Sequence, residues 1–315
     1  MTIKPLFGPY GSAALEFADR FGHYGADAAW FHGFDPHAFE VCQKHQIAAC
    51  VEFKTFRADF NAHPECIPTG MNGKPIRYDR LVQGVCLSQQ DFLAETEAHL
   101  LAGLKTFQPT GIWLDYLTYA GWFETPTPDL QESCFCPACM AEFCDATGLD
   151  AGSPAQILAV TPQEWARHKC ERIAGFARHY AGLIRAQLPA CIIGAYMCPW
   201  RPDEFDGALT RIFGQDYALL DPAIDIFTPL IYAAKSGRNA AWGREFLEAA
   251  PQFVPAGRPV QLILDALDFP DSLLATAQSN VTGWGLQMYG GASVFADPDQ
   301  AEIFRKAVNQ MRLQS

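Results

Sequence analysis

The sequence contains no apolar run long enough to cross a membrane, and it is poor in basic residues. A membrane helix needs about 18 consecutive apolar residues, and no segment reaches that length. Only 23 of the 315 residues are Lys or Arg, against 35 Asp or Glu, so the formal net charge is −12. An acidic surface repels phosphate backbones and anionic lipids. These features argue against a nucleic-acid-binding protein and against a membrane protein.

The motifs of several common enzyme classes are also missing. There is no G-x-S-x-G turn, no G-x-x-x-x-G-K-[ST] loop and no G-x-G-x-x-G turn, so serine hydrolases, nucleotide hydrolases and dinucleotide enzymes have no local support. The first residues also lack the basic and apolar segments of an export signal. We therefore expect a cytoplasmic protein, although a signal peptide removed earlier would leave no trace. The sequence is compatible with a monomer or a homo-oligomer.

The composition of the chain and the alternation of its apolar and amphipathic segments are typical of an α/β protein. Hydrophobic residues make up 49% and charged residues 18% of it, which is enough apolar surface for a folded core. Short apolar runs alternate with longer amphipathic stretches, a pattern typical of parallel sheets. The runs predict strands over residues 5–10, 26–32, 47–53, 111–116, 191–198, 223–231, 259–265 and 285–295. The stretches predict helices over residues 12–21, 36–45, 90–107, 162–187, 207–220, 238–252, 271–280 and 297–311. Eight such pairs predict one (β/α)8 TIM barrel over residues 1–315.

Two connections of this predicted barrel are unusually long. They cover residues 54–89, after strand three, and residues 118–161, after strand four. Both leave the carboxyl ends of strands, where barrel enzymes carry their active sites. We therefore expect these loops to border a functional site.

A cluster of cysteines lies in the second long loop. Cys134, Cys136 and Cys139 have C-x-C-x-x-C spacing, so a tight turn can direct their thiols at one centre. In a cytosolic protein such a cluster favours a metal over disulfides, and four thiolates around Zn²⁺ form a closed structural site. The fourth ligand is either Cys144 or Cys86, and we favour Cys86 because it would join the two long loops. The sequence contains no His-x-x-x-His pattern, which would have indicated a catalytic zinc.

Several segments resemble glycoside-hydrolase barrels related to the family 42 β-galactosidases and the family 29 fucosidases. The segments are Gly111-Ile112-Trp113-Leu114-Asp115-Tyr116, Cys134-Phe135-Cys136-Pro137-Ala138-Cys139, Glu142-Phe143, His63-Pro64-Glu65-Cys66, Asn72-Gly73-Lys74-Pro75 and Val85-Cys86-Leu87-Ser88. In family 42 an upstream cysteine joins a C-x-C-x-x-C triplet on zinc, so the resemblance implies Cys86, Cys134, Cys136 and Cys139 as the ligands. In family 29 the Asp of a Trp-x-Asp motif is the nucleophile, which implies that role for Asp115. Tyr116 stands where those fucosidases typically have Gly, which argues against fucose specificity.

Three carboxylates lie at predicted strand ends, where glycoside hydrolases need a pair of them. Asp115 closes strand four, Glu52 closes strand three and Asp265 closes strand seven. We expect Asp115 to act with Asp265 or Glu52. A cap or an ion pair is the structural alternative for each, and Lys54 lies on the same face as Glu52 and could pair with it.

Aromatic and polar side chains near the strand ends are candidates for binding sugar, whose C–H groups pack on aromatic rings. The alternative for each is a role in core packing. The candidates are Trp30, His32, Tyr119, Trp200, Tyr232, Gln287 and Tyr289.

Together these features predict a glycoside hydrolase that cleaves an O-glycosidic bond of an oligosaccharide or glycoconjugate, with a structural zinc. The alternative is a catalytically inactive barrel that binds carbohydrate or a protein and keeps zinc for stability. A lyase or a metal-dependent enzyme on the same scaffold is a third hypothesis, since one fold supports many reactions.

Overall fold

Eight parallel strands close into one barrel in chain order. The structure, a computed structural model, describes residues 4–77, 84–150, 152–281, 283 and 285–314. The strands are β1 (Leu6–Tyr10), β2 (Ala28–His32), β3 (Ala48–Lys54), β4 (Gly111–Asp115), β5 (Ile192–Met197), β6 (Ile226–Ile231), β7 (Leu262–Asp265) and β8 (Gly285–Tyr289). The predicted (β/α)8 TIM barrel is confirmed. Each strand lies inside its predicted range, except that β3 extends one residue beyond it.

Helices surround the barrel. They are α1 (Pro36–His45), α2 (Gln90–Thr106), α3 (Pro137–Thr147), α4 (Pro154–Val160), α5 (Pro162–Gln187), α6 (Ala208–Arg211), α7 (Tyr217–Leu220), α8 (Trp242–Ala249), α9 (Asp271–Ala277), α10 (Ala292–Ala296) and α11 (Pro298–Leu313). A 3-10 helix over Ser12–Arg20 replaces the first predicted helix. Among the described residues no helix is both long and apolar enough to traverse a bilayer.

Two predicted elements differ from the structure because of glycines. The predicted helix over residues 207–220 is divided into α6 and α7, and Gly214, between them, has a left-handed φ of 67°. The predicted strand over residues 285–295 ends at Tyr289, where Gly290 turns the chain with φ 68°. The apolar residues after that turn form α10.

The two long connections differ in their content. In its described part, the first contains a 3-10 turn over Pro64–Cys66, and its residues 78–83 lie outside the described residues. The second contains α3 and α4, and its residue 151 likewise lies outside. Helix α3 begins after Cys136, whose sulfur accepts a hydrogen bond from the Cys139 N–H at 3.4 Å.

A polar and aromatic layer fills the barrel interior. Trp30 and Trp113 meet edge to face with ring centroids 5.4 Å apart. The Trp113 indole donates to the Thr228 hydroxyl at 2.8 Å, and the Tyr196 hydroxyl bonds to the Gln287 amide at 2.7 Å. These hydrogen bonds satisfy buried polar groups of the layer, which lies below the strand ends.

Candidate functional site

A cavity of about 420 Å³ opens at the carboxyl ends of the strands. Its walls come from the last residues of β1, β2, β3, β4 and β8 and from the loops after β4 and β6. Its volume is in the range of small-molecule sites. The cavity lies where barrel enzymes carry their active sites.

Glu52 and Asp115 meet at the bottom of this cavity. Glu52 is the fifth residue of β3 and Asp115 is the last of β4, and the parallel pairing of these strands sets Asp115 beside Lys54. The two carboxyl groups are in hydrogen-bonding contact. The backbone carbonyl of Asp115 accepts hydrogen bonds from the N–H and the hydroxyl of Thr55, at 2.9 and 2.7 Å. The site therefore brings together two of the three predicted carboxylates.

Glu52 is buried but well supplied with donors. The Tyr10 hydroxyl donates to it, His32 Nδ1 contacts the same oxygen, and Lys54 Nζ lies 3.7 Å from the other. Burial opposes ionisation, but the hydrogen bonds from His32 and Asp115 and the charges of His32 and Lys54 outweigh it and lower the pKa of Glu52 to about 2. Glu52 is therefore ionised at neutral pH.

Asp115 behaves in the opposite way. Burial, the negative charge of Glu52 and the hydrogen bond to Glu52 raise the pKa of Asp115 well above its usual range. Two carboxyl groups this close cannot both ionise readily, so one proton is retained between them. The retained proton therefore resides on Asp115, whose pKa is raised, and not on Glu52, whose pKa is lowered.

Glu124 and Lys235 also line the cavity, and Asp265 lies behind Lys235. Burial raises the pKa of Glu124 to about 7, with Lys235 lowering it and Asp265 raising it. Lys235 Nζ lies 2.7 Å from Asp265 Oδ2, and Asp265 Oδ1 accepts the Leu267 N–H at 3.0 Å. Asp265 therefore lies behind the cavity wall and holds Lys235, which lines it. The sequence gives no signal for Glu124 as a site residue, because its loop has no periodicity that would place it.

Three of the seven predicted sugar-binding residues line the cavity: His32, Tyr232 and Tyr289. The Tyr232 and Tyr289 rings lie 5.1 Å apart, and Lys235 Nζ lies 4.6 Å from the centroid of each. Tyr10 stacks on Tyr289 at 5.4 Å. These rings form an aromatic wall of the kind that packs against a pyranose.

The other four predicted residues lie elsewhere. Trp30 and Gln287 belong to the interior layer beneath the cavity. Tyr119 and Trp200 are buried within the packing of the long loop, where Tyr119 lies beneath Lys169 Nζ at 5.6 Å and Trp200 packs on Phe213 at 5.7 Å. The surroundings of these four residues therefore fit a role in core packing and not in sugar binding.

The four cysteines Cys86, Cys134, Cys136 and Cys139 converge, with all sulfurs within 4.8 Å of one another. Cys86 Sγ lies 3.6 Å from Cys136 Sγ and 3.7 Å from Cys139 Sγ. These distances exceed the roughly 2.05 Å of a disulfide and match the roughly 3.8 Å between sulfurs that are each about 2.3 Å from a tetrahedral ion. The cluster is thus compatible with a structural metal. Cys144 lies outside it, in a separate apolar cluster.

Polar groups around this cluster would stabilise thiolate charge. The Thr69 N–H donates to Cys134 Sγ at 3.3 Å, and Ser88 Oγ lies 3.1 Å from Cys139 Sγ. Arg172 Nη1 lies 3.9 Å from the same sulfur. Hydrogen bonds of this kind orient and neutralise metal-bound thiolates. The cluster joins the two long connections, as expected from the sequence.

No family model and no curated protein matches the sequence. Solved structures do match. The PgaB (BpsB) glycoside hydrolase domain from Bordetella bronchiseptica has a TM-score of 0.75 at 12% identity, over 97% of this chain and 99% of that chain. A β-galactosidase from the haloarchaeon Halorubrum lacusprofundi has a TM-score of 0.66 at 12% identity, over 98% of this chain and 58% of that chain. A β-galactosidase from the psychrophilic Marinomonas ef1 has a TM-score of 0.66 at 9% identity, over 96% and 59%.

This chain therefore spans about three fifths of the two β-galactosidases. At such identities the likeness establishes the fold, which is a barrel shared with glycoside hydrolases. A closer relation to family 42 or family 29 stays a prediction.

Proposed function

We propose that this protein is a glycoside hydrolase that cleaves an O-glycosidic bond of an oligosaccharide or glycoconjugate. The observation that carries the proposal is the pairing of Glu52 with a protonated Asp115 at the bottom of a cavity with an aromatic wall. The fold shared with glycoside hydrolases supports it.

In this proposal Glu52 and Asp115 act as one unit. Carboxyl groups that flank a scissile bond are about 5 Å apart in retaining enzymes and about 6.5–9.5 Å apart in inverting enzymes. Glu52 and Asp115 are in hydrogen-bonding contact, which leaves no room for a sugar between them. Asp115, which holds the proton, donates it to the leaving oxygen, and Glu52 keeps it protonated until then. This role replaces the nucleophile implied by the fucosidase resemblance, since a neutral carboxyl group is a poor nucleophile.

The general base would be Glu124, which lines the same cavity. As the glycosidic C–O bond breaks, a water oxygen bonds to the anomeric carbon and its proton passes to the Glu124 carboxylate. A pKa of about 7 suits this task, because a base works best near the operating pH. Attack by water from the face opposite Asp115 would invert the anomeric configuration. Asp265 would be a positioning residue that acts through Lys235.

The pH dependence of kcat/KM tests this assignment. Glu124 must be ionised, so activity should rise as the pH increases through about 7. Activity should fall again at still higher pH once Asp115, whose pKa is raised, loses its proton. Glu124→Gln should remove the acidic limb and lower the rate about 10²- to 10⁴-fold, whereas Glu248→Gln, at an exposed position on α8, should change neither. An acidic limb that persists in Glu124→Gln would contradict the assignment.

We further infer that zinc occupies the four-cysteine cluster. Four thiolates suit Zn²⁺ and leave no open position for substrate, so its contribution would be structural. Cys86 comes from the first long connection and the other three ligands from the second. The ion would hold the two connections together beside the cavity.

A screen of aryl glycosides and natural oligosaccharides, with the parent protein and Asp115→Asn in parallel, tests the proposed function. We expect the parent to release sugar from at least one substrate and the variant to be nearly inactive on it. Sugar binding without turnover by the parent would instead favour the catalytically inactive barrel.

A further inference from the structure

The cavity has basic residues on its walls although the whole chain is acidic. Lys54, Arg57 and Lys235 all line it, in a chain whose formal net charge is −12. Two of these cations have carboxylate neighbours: Lys54 Nζ lies 3.7 Å from Glu52, and Lys235 Nζ lies 2.7 Å from Asp265. Arg57 differs, since within the described part of the chain it forms no ion pair.

Arg57 is oriented by a ring instead of an acid. Its guanidinium carbon lies 5.7 Å from the centroid of the Tyr116 ring, a cation–π contact that leaves the N–H groups free for other acceptors. The Tyr116 ring also lines the cavity. The guanidinium thus lies at the cavity wall, and its N–H groups donate no hydrogen bond to the described residues.

Tyr116 adopts a backbone conformation that is unfavourable for its type. Its φ of 53° lies in the left-handed region, where a bulky residue is uncommon and a glycine would be relaxed. Strain of this kind clusters at functional sites, where the side chain has a task. Here the strained residue directly follows Asp115 and supplies the ring that supports Arg57.

No carboxyl group among the described residues that line the cavity forms an ion pair with Arg57. Asp115 is in hydrogen-bonding contact with Glu52, and Glu52 is itself in contact with Tyr10, His32 and Lys54. Glu124 lies near Lys235, which lowers its pKa. A guanidinium that lines a partly closed cavity without an ion-pair partner among the described residues is suited to bind a ligand of opposite charge.

We propose that the sugar bound in this cavity carries an anionic group, a carboxylate or a sulfate ester, and that Arg57 binds that group. This inference rests on the proposed function and specifies its substrate class as an acidic carbohydrate. A guanidinium binds a carboxylate or sulfate through two parallel N–H···O bonds. Tyr116, which directly follows the proton donor Asp115, would pack its ring against the same sugar residue.

The test is a binding titration with three matched sets of oligosaccharides, in α and β linkage: galacturonic-acid and glucuronic-acid oligomers, sulfated galactose oligomers, and neutral galactose and glucose oligomers. The proteins are the parent, Arg57→Gln, Arg57→Lys and Arg77→Gln. Arg77 is a matched control, because it is exposed and lies 6.0 Å from the Phe60 ring but outside the cavity.

We expect the parent to prefer an acidic set over its neutral counterpart. In Arg57→Gln the Kd for the preferred oligomer should rise about tenfold or more, since a hydrogen-bonded charge pair is lost. Arg57→Lys should recover part of the affinity, because it keeps the charge but loses the two-bond geometry, and Arg77→Gln should bind like the parent. Preference for uronates identifies a carboxylate as the anionic group, and preference for sulfated oligomers identifies a sulfate ester.

Three results would overturn the inference, and they differ in what else they overturn. If neutral oligomers bind as well as acidic ones and Arg57→Gln changes neither Kd, the inference fails while the proposed function stands. If the parent binds none of the sets but hydrolyses a neutral substrate of the glycoside screen, the inference also fails alone. If the parent hydrolyses nothing in that screen either, the proposed function fails and the inference fails with it.

Discussion

Replacing Asp115 with Asn is expected to lower kcat about 10²- to 10⁴-fold on the best substrate of the screen, the range that a positioned general acid contributes. Asn has nearly the shape of a protonated Asp but has no acidic proton to give to the leaving oxygen. Because Asp115 is held protonated beside Glu52, the amide can replace its hydrogen bond to Glu52. The melting temperature should therefore change little, and kinetics with thermal unfolding on one preparation would measure both.

The matched control for this substitution is Asp203→Asn. Asp203 lies after β5, and its side chain is 80% exposed. This variant should keep both the activity and the melting temperature of the parent. Full activity of Asp115→Asn would exclude the proposed role, and a large loss of stability would assign Asp115 a structural role instead.

Replacing Cys86 with Ser should release the metal. We expect the parent to contain about one zinc ion per chain by elemental analysis, and Cys86→Ser to contain close to none. Because binding free energy at a structural zinc site is also folding free energy, the melting temperature should fall by at least about 5 °C. Treatment of the parent with a strong chelator should produce a similar fall, which gives a second measurement if the variant folds poorly.

Cys144→Ser is the matched control for the metal site, since Cys144 is close in sequence to the cluster but lies in a separate apolar cluster. This variant should keep its zinc. A parent protein free of metal, or a Cys86→Ser variant with an unchanged metal content, would exclude the proposed zinc site.

The barrel could be predicted from the sequence because each strand is a short apolar run followed by an amphipathic helix. The contact of Glu52 with Asp115 follows from the same pattern, since these residues lie near the ends of the neighbouring parallel strands β3 and β4. The four-cysteine cluster could likewise be predicted, because three of its cysteines lie close together in sequence and the fourth lies at the end of the other long loop.

Depth within the barrel could not be read from the sequence. Trp30 lies two residues before His32 on β2, so both share a face, but His32 lines the cavity and Trp30 lies in the layer below it. Which layer a residue joins depends on the stagger of the strands around the barrel, and a single sequence does not encode that stagger in a readable pattern.

The site residues contributed by loops could not be predicted from the sequence either. Glu124 and Arg57 line the cavity from segments without periodicity, and nothing in the local sequence distinguishes them from solvated loop residues. Tyr119 and Trp200, which the sequence placed at the site, are buried by loop packing instead. The protonation states of the carboxyl groups depend on neighbours from separate strands and also become visible only in the folded structure.

The most direct test of the central claim, that Asp115 donates a proton to a glycosidic oxygen in this cavity, is a crystal structure of Asp115→Asn with the oligosaccharide that the parent hydrolyses fastest. We predict that the scissile oxygen lies within about 3.2 Å of the side chain at position 115, with a water molecule between the anomeric carbon and Glu124. An oligosaccharide bound outside the cavity, or bound with its scissile oxygen remote from position 115, would exclude Asp115 as the proton donor.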